Sequence, residues 1–342
     1  MNHHETAPMA AIASAPHSLP DADQEQSGAL STFRGAISYA TFAIKVSFRD
    51  RTVIWLGILF MAMVCVSAYL GWTATRTVDK IYDQAAIALQ AEGKEIPPNP
   101  VQEISPLSML RNLTTYIALL GALVAIVLGG HLITQDRKSG VFPLIASRAV
   151  PRIAYALGKI SALAAAIVGV LAVAALVNAI AILVLPSAPV TADTWLRLCA
   201  FYGISALYLF TFGLMAMASA AWARSESMGL LIPVTVWLAM TFVLPQLSAN
   251  INPMAALNPI SSLTGAPSGS FFETAGPLLA PLSLTSTYRE IAASILGILP
   301  VGLEGLGVMS RTLTLVAADL LMGATAVSCI LLLDATRSDV DE

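Results

Sequence analysis

SALAAAIVGVLAVAALVNAIAILVL, residues 161–185, runs for twenty-five positions without a charged side chain. A bilayer core is crossed by about 20 consecutive apolar residues in helical form, whereas a soluble helix of that length turns a polar face to water. Five further runs reach the same length: 53–72, 113–133, 198–221, 228–247 and 312–333. Charged residues make up only 11% of the chain, against about a quarter in soluble domains, which excludes a soluble helical bundle. A transmembrane barrel would show weakly alternating strands of about ten residues instead of unbroken runs. The chain therefore reads as an all-α membrane protein with six transmembrane helices.

The first apolar run begins some fifty residues in and is long enough to span, so it is expected to stay as a helix and not to be removed as a secretory signal. Residues 1–30 are rich in Ala, Ser, Pro, His and acids without periodicity and read as a disordered leader. His3 and His4 are a possible metal pair, but such tails are ordinarily solvated. Residues 31–342 are expected to form one six-span domain.

Cys65, Cys199 and Cys329 lack the paired spacing of a metal site or a disulfide framework and read as packing residues. Met61, Met63, Met215 and Met217 read as gap fillers of apolar helices in preference to a copper path. No metal site is expected.

Lys and Arg are retained in short cytoplasmic loops. Arg34, Lys45, Arg49 and Arg51 precede span one, and Arg137, Lys138, Arg148, Arg152 and Lys159 lie between spans two and three. Arg224 lies between spans four and five, and Arg337 follows span six. The opposite side carries Arg76, Lys80, Lys94, Arg111, Arg197, Arg289 and Arg311, spread over longer loops and interleaved with acids. Both termini are thus expected in the cytoplasm.

Two elements on that side stand out. Residues 31–50, STFRGAISYATFAIKVSFRD, place Phe33, Ile37, Ala40, Ile44 and Phe48 on one helical face with Arg34, Lys45 and Arg49 beside them, as an interfacial helix does. The second element is the loop 134–156. Asp136, Arg137 and Lys138 end span two and Gly140 breaks the helix. Val141 to Ala146 then form a short apolar surface before Arg148, Pro151 and Arg152 turn the chain back. An apolar patch flanked by cations suits docking into a groove on a soluble partner. Composition alone fits a loop that only fixes topology equally well.

The order Asp136-Arg137-x-x-Gly140, Leu144-Ile145, Ser147-Arg148, Val150, Arg152, Tyr155, Leu157-Gly158-Lys159 resembles the loop between spans two and three of ABC-type export permeases of the second type. Lys138 stands where the family has Glu, Val141-Phe142 where it has Thr-Leu, and Ala149 where it has Pro, while Pro143 sits inside the presumed coupling element. The resemblance implies a multi-pass protein of the plasma (bacterial inner) membrane whose coupling helix meets a separate ATP-binding cassette ATPase. It assigns the partner contact to Asp136, Arg137, Gly140, Val141, Phe142, Leu144, Ile145, Arg148, Arg152 and Lys159. It also implies a twelve-span exporter, completed most simply by a homodimer. Asn258-Pro259 is similar to a pair in the nitrous-oxide-reductase maturation group of these permeases. The chain has no phosphate loop, since Gly158-Lys159 lacks the upstream Gly and is followed by Ile160. ATP and Mg are accordingly expected on the partner, with membrane lipids around the chain and no nucleic acid.

The outer loops are expected at 73–112, beginning as an amphipathic helix through Val78, Tyr82, Ala85 and Leu89, and at 248–310. The second includes an apolar piece, 291–303, too short to span. It reads as a lid or as a re-entrant segment.

Asp319 is the one acid well inside a predicted span, and such residues are expensive enough to suggest function. It and Asn178 are candidates for a translocation path, with a structural role as the other reading. An intramembrane protease is disfavoured, because Ser268 lies in a loop and Asp319 has no second mid-span acid. The chain is read as a transporter subunit and not an enzyme. A secondary transporter or a membrane-embedded assembly factor is the alternative, since neither requires a conspicuous motif.

Overall fold

The computed structural model describes residues 51–94, 106–138, 152–184, 190–249, 278–298 and 307–333, together with 274 and 276. The leader, the expected interfacial helix 31–50, the loop residues Gly140, Val141, Phe142, Leu144, Ile145 and Arg148, and Asn258-Pro259 lie outside the described residues.

Six helices are long and apolar enough to cross a membrane. They are α1 (Arg51–Ala91), α2 (Pro106–Lys138), α3 (Arg152–Leu183), α4 (Ala192–Trp222), α5 (Glu226–Leu247) and, after a shorter helix α6 (Leu284–Ile295), α7 (Val308–Leu331). Among the described residues there is no strand. Helix α1 runs on well past the apolar stretch, as its amphipathic continuation suggests.

Helix α4 is the post around which the others stand, packed against α2, α3, α5, α6 and α7. Its sequence explains this position. Small residues at Gly213, Ala216, Ala218 and Ala220 let backbones approach, which is how helices associate in an apolar solvent. At the tightest crossing, a Cβ on Gly129 of α2 would lie 2.1 Å from the Gly213 carbonyl oxygen. A Cβ on Gly213 would meet Leu163 of α3 at 2.9 Å, so one point of α4 admits two neighbours.

Caps set the element boundaries. Thr191 opens α4 in a reciprocal box with Thr194, Ser225 accepts from the Met228 amide at the start of α5, and Ser283 accepts from the Ser286 amide to start α6. The last of these places the start of the expected piece 291–303 earlier in the chain, while residues 299–303 lie outside the described residues. The helix starts at Leu284, because its cap lies there and its buried face is carried by Thr285, Tyr288, Ile291 and Ala292 among polar neighbours. It stops where Gly297 takes φ +68°, and it packs on the bundle.

Two spans contain π turns, Ile117–Gly121 in α2 and Ala239–Val243 in α5. Cys65 and Cys199 are exposed on the outside of the bundle, not packed within it.

Candidate functional site

The end of α2 and the start of α3 are the two feet of the 139–151 loop. Asp136, Arg137 and Lys138 close α2, and Arg152, Tyr155 and Lys159 open α3. These side chains fasten the feet to each other and to three other helices.

Between the feet lies a buried ion pair. Lys159 Nζ is 2.7 Å from Asp136 Oδ2 and donates to the Leu132 carbonyl at 2.8 Å, while the Tyr155 hydroxyl donates to Asp136 Oδ2 at 2.8 Å. Asp136 is 7% exposed and Lys159 3%. Charges removed from water to that degree persist only when paired and hydrogen-bonded, and both conditions are met here.

The outer ties reach further. Arg137 Nη1 donates to the Ala220 and Ala223 carbonyls at 3.1 and 3.0 Å. These belong to the last turn and the C-cap of α4, where helix carbonyls lack intrahelical partners and the dipole favours a cation. Arg152 Nη1 donates at 3.3 Å to the carbonyl of Leu331, the last residue of α7. Lys138 Nζ lies 2.6 Å from Glu226 Oε2 in the first turn of α5. Both partners of that pair are largely exposed, so its contribution is small.

Of the residues assigned to partner contact, the structure brings together Asp136 and Lys159, whereas Arg137 and Arg152 reach to the ends of α4 and α7. Asp136 and Lys159 point inward and hold the feet together; their burial keeps them from presenting a surface to another protein. Tyr155, whose hydroxyl completes the pair, was legible only as part of the motif.

At the other end of the bundle a second polar group joins α2, α4, α5 and α6. Interrupting an α-helix with a π turn leaves main-chain carbonyls for other donors. The Ala118 carbonyl, inside the π turn of α2, accepts from the Tyr208 hydroxyl at 3.0 Å and from Trp237 Nε1 at 3.2 Å. The Tyr208 and Thr241 hydroxyls lie 3.1 and 3.0 Å from Thr285 Oγ1. Ser283 donates to the Met240 carbonyl in the π turn of α5 at 2.7 Å. Tyr288 stacks on Tyr208 with ring centroids 4.5 Å apart, and its hydroxyl meets Ser205 at 3.0 Å. Burial pushes the Tyr288 phenol well above the usual tyrosine range and draws the neighbouring Arg289 guanidinium down. Glu290 pairs with Arg311 at 2.8 Å; burial raises its carboxyl, and Arg311 opposes the rise. Sequence periodicity carried no sign of this group, because α6 was not legible as a helix before Ile291.

Between the two ends lie the path candidates. Asn178, fully buried on α3, donates to the Tyr202 hydroxyl at 3.0 Å and to the Ala174 carbonyl at 2.9 Å, while its Oδ1 has no partner among the described residues. Asp319, 8% exposed near the middle of α7, has Oδ1 2.7 Å from Thr211 Oγ1 on α4, and its Oδ2 has no partner among the described residues. The structure does not bring Asn178 and Asp319 into contact. Each faces α4 separately, through Tyr202 and Thr211.

No curated protein matches the chain. A family model described as ABC-2 family transporter protein matches residues 40–333. That match takes in all six spans and both feet of the loop, and the chain belongs to the ABC-2 transporter family as the multi-pass membrane permease component of an ABC transporter.

Proposed function

We propose that this permease works as a homodimer in the bacterial inner membrane, with both termini in the cytoplasm, and exports its substrate by alternating access. A separate cassette ATPase, which carries the ATP and Mg, docks on the 134–156 loop and drives the cycle. The observation that carries this reading is the wiring of the feet. A force on the loop is delivered to α2 and α3 through the Asp136–Lys159 pair. It reaches α4 through Arg137, α5 through Lys138 and α7 through Arg152. A loop that only marked topology would need its positive charges but not these specific ties.

Asp319 and Asn178 belong to the path in this proposal, because both put a polar group with an unpartnered oxygen against α4 inside the bundle. Kinship with the nitrous-oxide-reductase maturation group is supported by Asn258-Pro259.

The test replaces Val141 and Phe142 together by Asp. Two charges would enter a desolvated contact without partners, so co-purification with the ATPase and transport-stimulated hydrolysis should both fall at least tenfold. Membrane insertion and dimerisation should be kept, as neither residue lies in a span. A loop that only fixed topology would give the reverse pattern, with Asp tolerated at 141 and 142 and orientation disturbed when Arg137, Lys138, Arg148 and Arg152 are removed together. Retention of ATPase binding and stimulated hydrolysis at the wild-type level in the Asp variant would defeat the coupling assignment.

A further inference from the structure

Thr211 has one hydroxyl hydrogen and two acceptors within reach. Its Oγ1 lies 3.1 Å from the Leu207 carbonyl, one turn back along α4, and 2.7 Å from Asp319 Oδ1 on α7. A single hydrogen makes one of these bonds. With Asp319 ionised, the other contact would be two oxygens facing each other with lone pairs only. The second carboxylate oxygen, Oδ2, would carry its share of the charge enclosed in the bundle with no donor among the described residues. Among the described residues no basic side chain pairs with Asp319 to offset that charge.

The titratable and charged groups on the elements packed against α7 are committed elsewhere. Lys159 is held by Asp136, Arg152 by the far end of α7, and Arg197 by Asp193. Tyr202 is bonded to Asn178, Tyr208 to Ala118 and Thr285, and Tyr288 to Ser205, and Glu290 pairs with Arg311. Arg289 lies beside the Tyr208 and Tyr288 phenols.

A neutral acid removes both the lone-pair conflict and the enclosed charge. Oδ1–H donates to Thr211 Oγ1, the Thr211 hydrogen goes to the Leu207 carbonyl, and Oδ2 is left as an uncharged carbonyl oxygen. The separation of 2.7 Å is the usual O–H···O length. We infer that Asp319 is a proton-binding site, carrying one proton on Oδ1 in the packed bundle, and that this hydrogen makes the polar contact between α7 and α4. A proton is also a ligand that a buried, unpartnered carboxylate oxygen can take. Were a water-filled path to open between α7 and α4, the acid would meet water, where an aspartic carboxyl ionises at neutral pH. The proton would then pass to water and return from it when the path closed. This rests on hydrogen-bond geometry and does not depend on the coupling to an ATPase.

The experiment is infrared spectroscopy at pH about 7, within the range where ordinary surface carboxyls are ionised. It uses the purified full chain in an ester-free detergent with its aspartate carboxyls isotopically labelled. A carbonyl band of protonated aspartic acid is expected in the wild type and should be lost in Asp319→Asn. Thr211→Val, which removes the acceptor, should move the band to higher frequency, and Thr211→Ser should leave it in place. Should Asp319→Asn not fold, the Thr211 variants still identify the band, since they keep the acid. A wild-type spectrum containing only ionised aspartate, or a band that Thr211→Val leaves unmoved, would overturn the inference.

Discussion

Replacing Lys159 by Met removes the cation from the buried pair while keeping an unbranched stem of similar volume, so apolar packing around it is largely preserved. What is lost is the 2.7 Å contact with Asp136 and the 2.8 Å bond to the Leu132 carbonyl. The dominant cost is then on the partner. Asp136, 7% exposed, is left as a buried carboxylate without its cation, and breaking such a pair from one side costs about 3–5 kcal/mol. At the lower end that is more than a hundredfold in the folding equilibrium. Asp136→Asn strands the ammonium in the same way and should cost a comparable amount. The double variant removes both charges, and because replacing a buried pair outright is often nearly neutral, it should recover most of the loss. Unfolding free energies of the four proteins in one detergent system close the cycle and isolate the coupling. If each single variant lies within about 1 kcal/mol of wild type, or the double is as unstable as the sum of the singles, then the pair does not hold the feet together.

Three further outcomes follow from the packing and the polar contacts. Gly129→Ala sets a methyl 2.1 Å from the Gly213 carbonyl, so α2 and α4 must part; a loss of at least about 1–3 kcal/mol is expected, read as a lowered unfolding midpoint. Tyr208→Phe removes the hydroxyl that ties Ala118 to Thr285 and should cost about 1–3 kcal/mol, with faster amide exchange confined mainly to α6. For Glu290, burial raises the carboxyl in the folded state above its unfolded value. The docked helix therefore binds that proton more tightly, and the contribution is full below the ordinary glutamate range and lost as pH rises through the raised value. Protease protection of α6 should decline over that rise in the wild type and be flat in Glu290→Gln.

How far the sequence carries depends on whether a feature lies within one segment or between several. The six runs are local, and so is the solitary acid at 319, because hydropathy is a property of consecutive residues. Asp136 and Lys159 were conspicuous in the motif, yet their pairing depends on α2 and α3 standing side by side, which no local pattern states. The π turns are less visible still. Ile117–Gly121 is apolar and unremarkable, and only the two donors on the Ala118 carbonyl reveal why the extra residue is tolerated there. The start of α6 was missed for a related reason: LTSTYREIAASI reads as polar until Thr285 and Tyr288 are seen to meet hydroxyl partners on α4 and α5 instead of water. Thr211 gave no signal at all, since a Thr bonded to its own preceding turn is ordinary in a membrane helix.

The ties at the loop differ in strength in a way that bears on how a push would spread. The Asp136–Lys159 pair is buried and backed by Tyr155, so α2 and α3 are held as one piece at this end. The contacts from the same feet to α5 and α7 are exposed: Lys138 with Glu226, and Arg152 with the Leu331 carbonyl. Exposed pairs contribute about 0–1 kcal/mol, several times less than the cost of breaking the buried pair. In the proposed cycle a displacement of the loop would therefore move α2 and α3 together and pass to α5 and α7 only weakly. Arg137 is the intermediate case, half-buried against the end of α4 with two carbonyls to hold it. Near the opposite end α2 is fastened again, through Ala118, to Tyr208 of α4 and Trp237 of α5. With one end bound to α3 and the other to α4 and α5, α2 would act as a lever in the proposed cycle, and the Gly129–Gly213 crossing lies between those attachments. That crossing has no side chain to shear, so it is where α2 would turn against α4 at least steric cost.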